Sequence, residues 1–201
     1  MIIKVCGMRE ADNIRKIEAL GIDLIGFIFW PKSSRYVSER PAYLPTQCKR
    51  VGVFVDEDIE TVKHIADEYA LDYIQLHGHE SPEYCIQLQG FHLIKAISVS
   101  SRDDIATYKA YEGFVDYLLF DTKCTSVGGS GQQFDWSILD SYDGSLPFML
   151  SGGIGPHDAS LINAFHHPRC IGIDLNSRFE TAPGLKDVDA LRKFLEELNR
   201  K

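Results

Sequence analysis

A thiol and a carboxyl group each end an apolar run that is typical of a β-strand. Cys6 follows the run 2–5, and Asp121 follows the run 117–120. In α/β barrels and open parallel sheets, the carboxyl ends of the strands form the rim at which chemistry takes place. The two side chains therefore predict an acid–base pair, in which one group donates a proton to a substrate and the other removes one.

A glycine-rich segment predicts a site for an anion. Residues 151–156, Ser-Gly-Gly-Ile-Gly-Pro, follow the seventh strand-like run and open a helix with proline near its first position. Glycines let backbone N–H groups approach an anion, and a helix N-terminus adds partial positive charge. In barrels the loops after the seventh and eighth strands commonly hold phosphate. The predicted phosphate-binding residues are Gly152, Gly153, Asn176, Ser177 and Arg178; for the glycines, a tight turn without a ligand is the alternative.

Two further side chains follow strand-like runs. The planar guanidinium of Arg35 suits a carboxylate, and Trp30 or Tyr36 suits an aromatic ring; a solvated loop charge is the alternative for the arginine. His77 ends the fourth run, where both a hydrogen-bonding role at the rim and a structural role are open. His77 and His79 do not predict a metal site, because no third ligand lies at a suitable spacing.

Lys4 lies on the same side of the first strand as Cys6, so it is expected to point into the barrel. A buried ammonium group needs a partner, because an isolated buried charge is very costly. Asp174 lies near the end of the eighth strand-like run, and the eighth strand of a closed barrel is next to the first. We therefore predict a Lys4–Asp174 ion pair beneath the site, with Lys4 favouring the thiolate form of Cys6.

Strand-like and helix-like segments alternate along the whole chain. Strands are expected at 2–6, 23–29, 50–55, 72–76, 92–97, 115–120, 148–150 and 170–175. Helices are expected at 10–20, 38–44, 58–70, 81–88, 102–111, 136–139, 157–165 and 188–198. Eight strand–helix units close a barrel, whereas doubly wound sheets usually have five or six strands. The sequence thus predicts an α/β fold, a single (β/α)8 TIM barrel over residues 1–201.

Composition and charge argue against several classes of function. The net charge of −8 argues against a broad nucleic-acid surface, and no apolar run reaches the roughly 20 residues that span a bilayer. Without a signal-peptide pattern after Met1, we expect a cytoplasmic protein with neither a nucleic-acid nor a membrane partner. The five scattered cysteines form no C-x-x-C pair, which argues against a disulfide framework and a structural zinc site.

Segments spread over essentially the whole chain resemble one enzyme family. They are residues 4–8, 26–37, 51–55, 75–78, 121–123, 128–131, 134–136, 151–154, 172–177 and 184–187. In this order they are similar to the phosphoribosylanthranilate isomerases of tryptophan biosynthesis. The resemblance implies an Amadori rearrangement of N-(5-phosphoribosyl)anthranilate to 1-(2-carboxyphenylamino)-1-deoxyribulose 5-phosphate, with no cofactor and no metal. The implied partner is a small-molecule phosphosugar; a monomer and a homodimer are both open.

The resemblance also implies roles for individual residues. Cys6 matches the family's general base, Asp121 its general acid, and Arg35 the arginine that holds the anthranilate carboxylate. Because a free thiol is mostly protonated at neutral pH, we expect a nearby cation to lower the pKa of Cys6. Ser34 and Arg178 stand where the family often has proline and glycine. Either Arg178 contacts the phosphate or the eighth loop is shaped differently.

The residues present disfavour three other functions. A metal-dependent phosphosugar epimerase needs a ligand set that the chain does not assemble, and an indole-glycerol-phosphate synthase needs a rim lysine. A barrel that only binds phosphosugars is disfavoured because the thiol, the carboxyl group and the glycine loop are all present. Residues 128–131 are expected to form a lid over Asp121, and Cys124 is expected to have a plain loop role.

Overall fold

A closed barrel of eight parallel strands forms the centre of the molecule. The computed structural model describes residues 1–122 and 135–198. The strands are β1 (Ile2–Val5), β2 (Leu24–Ile28), β3 (Lys49–Phe54), β4 (Tyr73–Leu76), β5 (His92–Val99), β6 (Tyr117–Thr122), β7 (Phe148–Leu150) and β8 (Cys170–Leu175). They follow one another in chain order, and β1 pairs with both β2 and β8. The predicted barrel and its eight strands are confirmed.

Helices cover the outside of the barrel. They are α1 (Ala11–Glu18), α2 (Ile59–Tyr69), α3 (Pro82–Gln87), α4 (Arg102–Ile105), α5 (Ala159–Ala164) and α6 (Val188–Glu197), with short 3-10 helices at Ala106–Tyr111, Trp136–Ser141 and Ser177–Phe179. None of the helices within 1–122 and 135–198 is long and apolar enough to cross a membrane.

The helix predicted at 38–44 is wrong, because that segment is irregular. Pro41 lies in its middle, where it lacks a backbone donor and keeps Arg40 away from helical backbone angles. The helix predicted at 102–111 divides into α4 and a 3-10 helix, and the one at 136–139 is a 3-10 helix. The helices that begin sharply do so at a polar cap: Asp58 accepts two backbone N–H groups at the start of α2, and Ser81 caps α3.

The strands separate two apolar regions. Inside the barrel lies a cluster made of Cys6, Leu24, Val51, Val53, Ile94, Ala96, Leu119 and Met149. A larger cluster fills the space between the strands and the helices, and it includes Ile3 and Val5. This alternation along β1 is the reason that Lys4 and Cys6 point to the barrel axis.

A short antiparallel pair, which the sequence did not predict, follows β8. It consists of β9 (Glu180–Ala182) and β10 (Leu185–Lys186), joined by a turn in which Gly184 has a φ of +82°. Only glycine adopts that region readily, so the turn depends on it. The pair returns the chain to the rim and places Glu180 and Lys186 beside the candidate site.

Candidate active site

Cys6 lies directly after β1, inside the barrel, and is only 3% exposed. Its backbone N–H donates to the carbonyl oxygen of Leu175 over 2.9 Å, which continues the strand pairing up to the thiol. Gly26 on β2 leaves room for this side chain, because a Cβ there would lie 2.8 Å from Sγ and 3.1 Å from Cα of Cys6. A glycine on the neighbouring strand is therefore part of how the barrel accommodates the thiol.

The predicted ion pair between Lys4 and Asp174 is confirmed. Lys4 Nζ lies 2.9 Å from Asp174 Oδ1, and the two side chains are 0% and 5% exposed. The register pairs these two residues across β1 and β8. Burial lowers the pKa of Lys4, but the charges of Asp174 and Cys6 and the hydrogen bonds to them together raise it by more, so the net direction is upward. Lys4 is thus held as a cation beneath Cys6.

The expectation that a cation lowers the pKa of Cys6 is wrong in its net direction. Burial raises the pKa of the thiol above its ordinary value. Lys4 does lower it, as predicted, and so does Lys186, but Asp174 opposes them. Desolvation prevails because the charge of Lys4 is largely balanced by its own partner.

We expect Cys6 to titrate at a higher pH than a free thiol. The difference in thiolate ultraviolet absorbance between the wild type and Cys6→Ser isolates this one group. Its midpoint is expected above the ordinary thiol value, and Lys4→Met is expected to move it higher because the nearby cation is lost. A midpoint below the ordinary value would show that Lys4 outweighs burial.

Asp121 lies within the last two residues of β6, on the rim. Its Oδ1 accepts a hydrogen bond from the backbone N–H of Thr122 over 2.8 Å. Its Oδ2 lies 3.2 Å from Nε2 of His77, which follows β4. His77 thus lies at the rim beside the predicted acid, and its Nδ1 lies within hydrogen-bond distance of Gln75. Asp174 interacts electrostatically with Asp121 and His77, and also with Cys6, so these groups form one cluster.

The glycine loop after β7 lies beside Asp121. Gly152 and Gly153 have φ values of +86° and +70°, which L side chains rarely adopt. A Cβ on Gly152 would lie 2.2 Å from Thr122 Oγ1 and 3.0 Å from Asp121 Oδ1. The absence of a side chain is what allows this loop to approach the end of β6.

The helix predicted at 157–165, with proline near its first position, begins later than expected. α5 starts at Ala159, so Pro156 lies in the loop. The carboxylate of Asp158 accepts the backbone N–H of Gly155 over 2.7 Å. A negative side chain therefore lies at the start of this short helix, where its charge opposes the binding of an anion. The loop glycines and the loop after β8 are the groups left to hold an anion.

The loop after β8 lies next to the glycine loop. Ser177 and Arg178 belong to a 3-10 helix, so the arginine adopts ordinary right-handed angles at a position where the family often has glycine. A Cβ on Gly155 would lie 3.6 Å from Cβ of the exposed Arg178. Asn176 Oδ1 accepts a hydrogen bond from Lys186 Nζ over 2.8 Å. The two loops that carry the predicted phosphate-binding residues thus meet at Gly155 and Arg178.

Arg35 is buried and paired, so the solvated-charge alternative does not hold. Its Nε and Nη2 donate to the carboxylate of Glu180 over distances of 2.7 to 3.0 Å. Burial raises the pKa of Glu180, but its bonds with Arg35 and with Lys186 lower it more. Gly7, with a φ of +76°, lets these loops meet, because a Cβ there would lie 2.7 Å from Arg35 Cδ.

Sequence reasoning missed three residues that hold the site together: Gln75, Glu180 and Lys186. Glu180 and Lys186 fix Arg35 and Asn176, while Gln75 lies 2.8 Å from Nδ1 of His77. The requirement that a buried arginine has a carboxylate partner could have pointed to Glu180.

Some expectations fall on residues that the structure does not cover. Cys124 and the proposed lid at 128–131 lie outside the described residues. Within residues 1–122 and 135–198, no group of three or more His, Cys, Asp and Glu side chains could hold a metal ion.

The fold and the site define a class of protein: a (β/α)8 barrel with a rim suited to acid–base chemistry on a small anion. Residues 3–197 match the model of a family described as N-(5'phosphoribosyl)anthranilate (PRA) isomerase, and the chain belongs to this family. It is therefore an isomerase.

Relatives share almost their whole length with the chain. The N-(5'-phosphoribosyl)anthranilate isomerase of Phocaeicola vulgatus is 53% identical over 203 residues, covering 100% of this chain and 99% of the relative. The enzyme of that name from Parabacteroides distasonis is 52% identical, covering 98% and 93%. The crystal structure of phosphoribosyl anthranilate isomerase from Thermotoga maritima is similar, with a TM-score of 0.83, 34% identity and 98% of both chains covered.

A further solved structure shows what a relative binds. A phosphoribosyl anthranilate isomerase was solved in complex with reduced 1-(o-carboxyphenylamino)-1-deoxyribulose 5-phosphate. It has 31% identity to this chain and a TM-score of 0.80, with 98% of both chains covered.

Proposed function

We propose that this isomerase converts N-(5-phosphoribosyl)anthranilate to 1-(2-carboxyphenylamino)-1-deoxyribulose 5-phosphate in tryptophan biosynthesis, with Cys6 as general base and Asp121 as general acid. The observation that carries the roles is the shared cluster at the rim, in which Asp174 interacts with both Cys6 and Asp121. A thiol and a carboxyl group so placed can act on one bound sugar. The complex of the relative with a reduced form of the product supports the substrate.

Asp121 begins the reaction by opening the furanose ring. Its carboxyl proton passes to the ring oxygen while the bond from that oxygen to C1 breaks, which leaves a hydroxyl group on C4. The lone pair of the anilino nitrogen forms the C=N bond of an iminium ion. Asp121 is left as a carboxylate, the state that the hydrogen bond from the backbone N–H of Thr122 stabilises.

Cys6 then acts as the base. Its thiolate removes the proton from C2 of the sugar, and the released electron pair forms a C1=C2 double bond while the iminium nitrogen becomes neutral. The resulting enolamine loses its C2 hydroxyl proton and gains a proton at C1, which gives the ketone. Because burial raises the pKa of Cys6, its thiolate is scarce at neutral pH but strongly basic once formed. The positive charge of the iminium ion stabilises that thiolate only when substrate is bound.

The remaining rim residues bind the two anionic ends of the substrate. Arg35, aligned by Glu180, would receive the anthranilate carboxylate. The phosphate would be held by Gly152, Gly153, Asn176, Ser177 and Arg178, which the two neighbouring loops provide.

Arg178→Gln is expected to raise KM roughly ten- to hundredfold while kcat changes little, since a charged hydrogen bond to the phosphate contributes about 1.5–3 kcal/mol. Steady-state kinetics measures both constants. The matched control is Arg192→Gln, because Arg192 is an exposed arginine on α6 that pairs with Asp189. An unchanged KM in Arg178→Gln would remove this residue from the phosphate site.

We further propose that a small phosphosugar is the only partner that the activity needs, that the chain works in the cytoplasm, and that it is a monomer or a homodimer. A relative from Thermotoga maritima, 31% identical with a TM-score of 0.81, is described as a dimeric isomerase from which monomers were generated. Light scattering on the purified protein distinguishes the two states.

The single domain over residues 1–201 remains a prediction, which limited proteolysis would test.

The decay of anthranilate fluorescence tests the proposed function. Freshly generated phosphoribosylanthranilate is mixed with the wild-type protein, and the decay is compared with the rate without protein. Rapid, protein-dependent decay is expected. A decay no faster than that without protein would overturn the proposed substrate.

A further inference from the structure

A polar chain of three residues leads from the barrel interior to the predicted acid. Gln75 Nε2 lies 2.8 Å from His77 Nδ1, and His77 Nε2 lies 3.2 Å from Asp121 Oδ2. Gln75 is 1% exposed and pairs in register with Val53 and Ile94, two members of the apolar cluster inside the barrel. A polar side chain in that cluster is unfavourable unless its hydrogen bonds compensate, so its contact with His77 is significant.

The tautomer of His77 decides whether Asp121 can carry a proton. With the amide nitrogen of Gln75 as donor, His77 Nδ1 is the acceptor, which leaves the ring proton of a neutral imidazole on Nε2, 3.2 Å from Asp121 Oδ2. Oδ1 of the same carboxylate accepts from the backbone N–H of Thr122. In this tautomer the proton between the ring and the carboxyl group belongs to Nε2, so Asp121 is ionised. An additional proton has to enter the pair before it can act as an acid.

The Gln75 amide has a second orientation that would hold this proton. Within the part of the chain that the structure describes, Oε1 of Gln75 is buried and has no hydrogen-bond partner. Rotation of the amide by half a turn exchanges the oxygen and the nitrogen in the same volume, and Oε1 then accepts from a protonated His77 Nδ1. Each orientation pairs one amide atom and leaves the other unpaired, so the protonation of Nδ1 selects between them.

We propose that Gln75 sets the protonation of the His77–Asp121 pair. Its amide oxygen accepts from Nδ1 and keeps one proton there. The second proton, between Nε2 and Oδ2, can then reside on Asp121. This inference rests on the proposed function, in which Asp121 is the general acid. Donation to the ring oxygen leaves the carboxylate beside a neutral imidazole, and water supplies the next proton after the product leaves. Gln75 and His77 are thus positioning residues, and His77 does not need to bind the substrate directly.

Other charged groups around the pair belong to several elements. They are Asp174 with its partner Lys4 and the adjacent Cys6, the exposed Asp56–His79 pair, and the buried Lys95–Glu80 pair behind the loop that follows β4. Each carboxylate in this set lies near a cationic or imidazole partner. Gln75 contacts the His77 ring directly and is neutral, so its substitution changes the ring's hydrogen bond.

Two substitutions at Gln75 are expected to shift the titration of the His77 ring in opposite directions. Gln75→Glu places an acceptor-only carboxylate against Nδ1, which retains the ring proton to higher pH. Gln75→Met fills a similar volume without a hydrogen bond, suits the apolar interior, and releases the proton at lower pH. We expect Gln75→Met to lower kcat at neutral pH roughly tenfold, the value of one lost hydrogen bond.

Nitrogen-15 NMR of the histidine ring nitrogens tests the proposal, with the His77 signals assigned by their loss in His77→Gln. The midpoint for Nδ1 is expected to move up in Gln75→Glu and down in Gln75→Met, and the midpoint of kcat against pH is expected to move with it. His79→Gln, which alters the exposed neighbouring histidine, is expected to move neither.

Identical His77 titrations in wild type and Gln75→Met would overturn the proposal, and so would a shifted titration that leaves the pH profile of kcat in place. If the buried glutamate prevents Gln75→Glu from folding, the His77 titration and the pH profile of kcat in Gln75→Met are sufficient to test the proposal. If the proposed function is wrong, the wild type shows no turnover of phosphoribosylanthranilate. The titration of the His77 ring still tests the role of Gln75 in that case.

Discussion

Cys6→Ser and Asp121→Asn are each expected to lower kcat by about 10²- to 10⁴-fold, the usual contribution of a general base or acid. A serine hydroxyl loses its proton far less readily than a thiol, so it seldom forms the basic anion. Asparagine has no proton that it can transfer as an acid. Both substitutions preserve volume, and both side chains lie at the barrel rim. Fluorescence decay under saturating substrate measures kcat in each variant.

The matched control for the thiol is Cys170→Ser. Cys170 starts β8, at the end of the barrel opposite the rim, and burial raises its pKa to about 11. Its replacement is expected to leave kcat unchanged. If Cys6→Ser turned over as fast as Cys170→Ser, Cys6 would not be the base.

Lys4→Met is expected to lower the free energy of unfolding by about 3–5 kcal/mol, because it leaves the carboxylate of Asp174 buried without its partner. Urea unfolding at neutral pH measures the change. Because Asp174 and Cys6 together outweigh burial and hold the pKa of Lys4 above its ordinary value, the stability from this cation is fully present below that ordinary value. It is lost only as the pH rises further, through the raised value in the folded protein.

The double variant Lys4→Met with Asp174→Leu separates the cost of an unpaired charge from the contribution of the pair. It removes both charges and is expected to regain most of the lost stability, since apolar replacement of a buried pair is often nearly neutral. Equal stability of the wild type and Lys4→Met would contradict the account. Turnover is expected to fall in both variants, because Lys4 also favours the thiolate of Cys6.

Much of the barrel was predictable because its signals are local or follow from closure. Apolar runs at regular spacing identify the eight strands, and side-chain alternation places Lys4 and Cys6 on one face. The Lys4–Asp174 pair was predictable from the same alternation, together with the rule that the last strand of a closed barrel is next to the first.

The failed or missing predictions depend on contacts between distant segments or on a balance of opposing effects. The hairpin of β9 and β10 places Glu180 against Arg35, which is far away in the sequence. No local sequence pattern indicates that pair. The contact between His77 and Asp121 likewise joins the ends of two different strands. The sign of the pKa shift of Cys6 depends on how far burial outweighs Lys4, which a residue pattern does not reveal.

Removal of the C2 proton by Cys6 can be followed with an isotope label on that carbon. Phosphoribosylanthranilate carrying deuterium at C2 of the sugar is turned over in a single cycle by the wild type and by Cys6→Ser, with fluorescence decay and the deuterium released to solvent both recorded. We expect the wild type to release the deuterium as fluorescence decays, with a decay slower than for the unlabelled compound, and Cys6→Ser to release almost none. Release of deuterium at the wild-type rate by Cys6→Ser would contradict this role of Cys6.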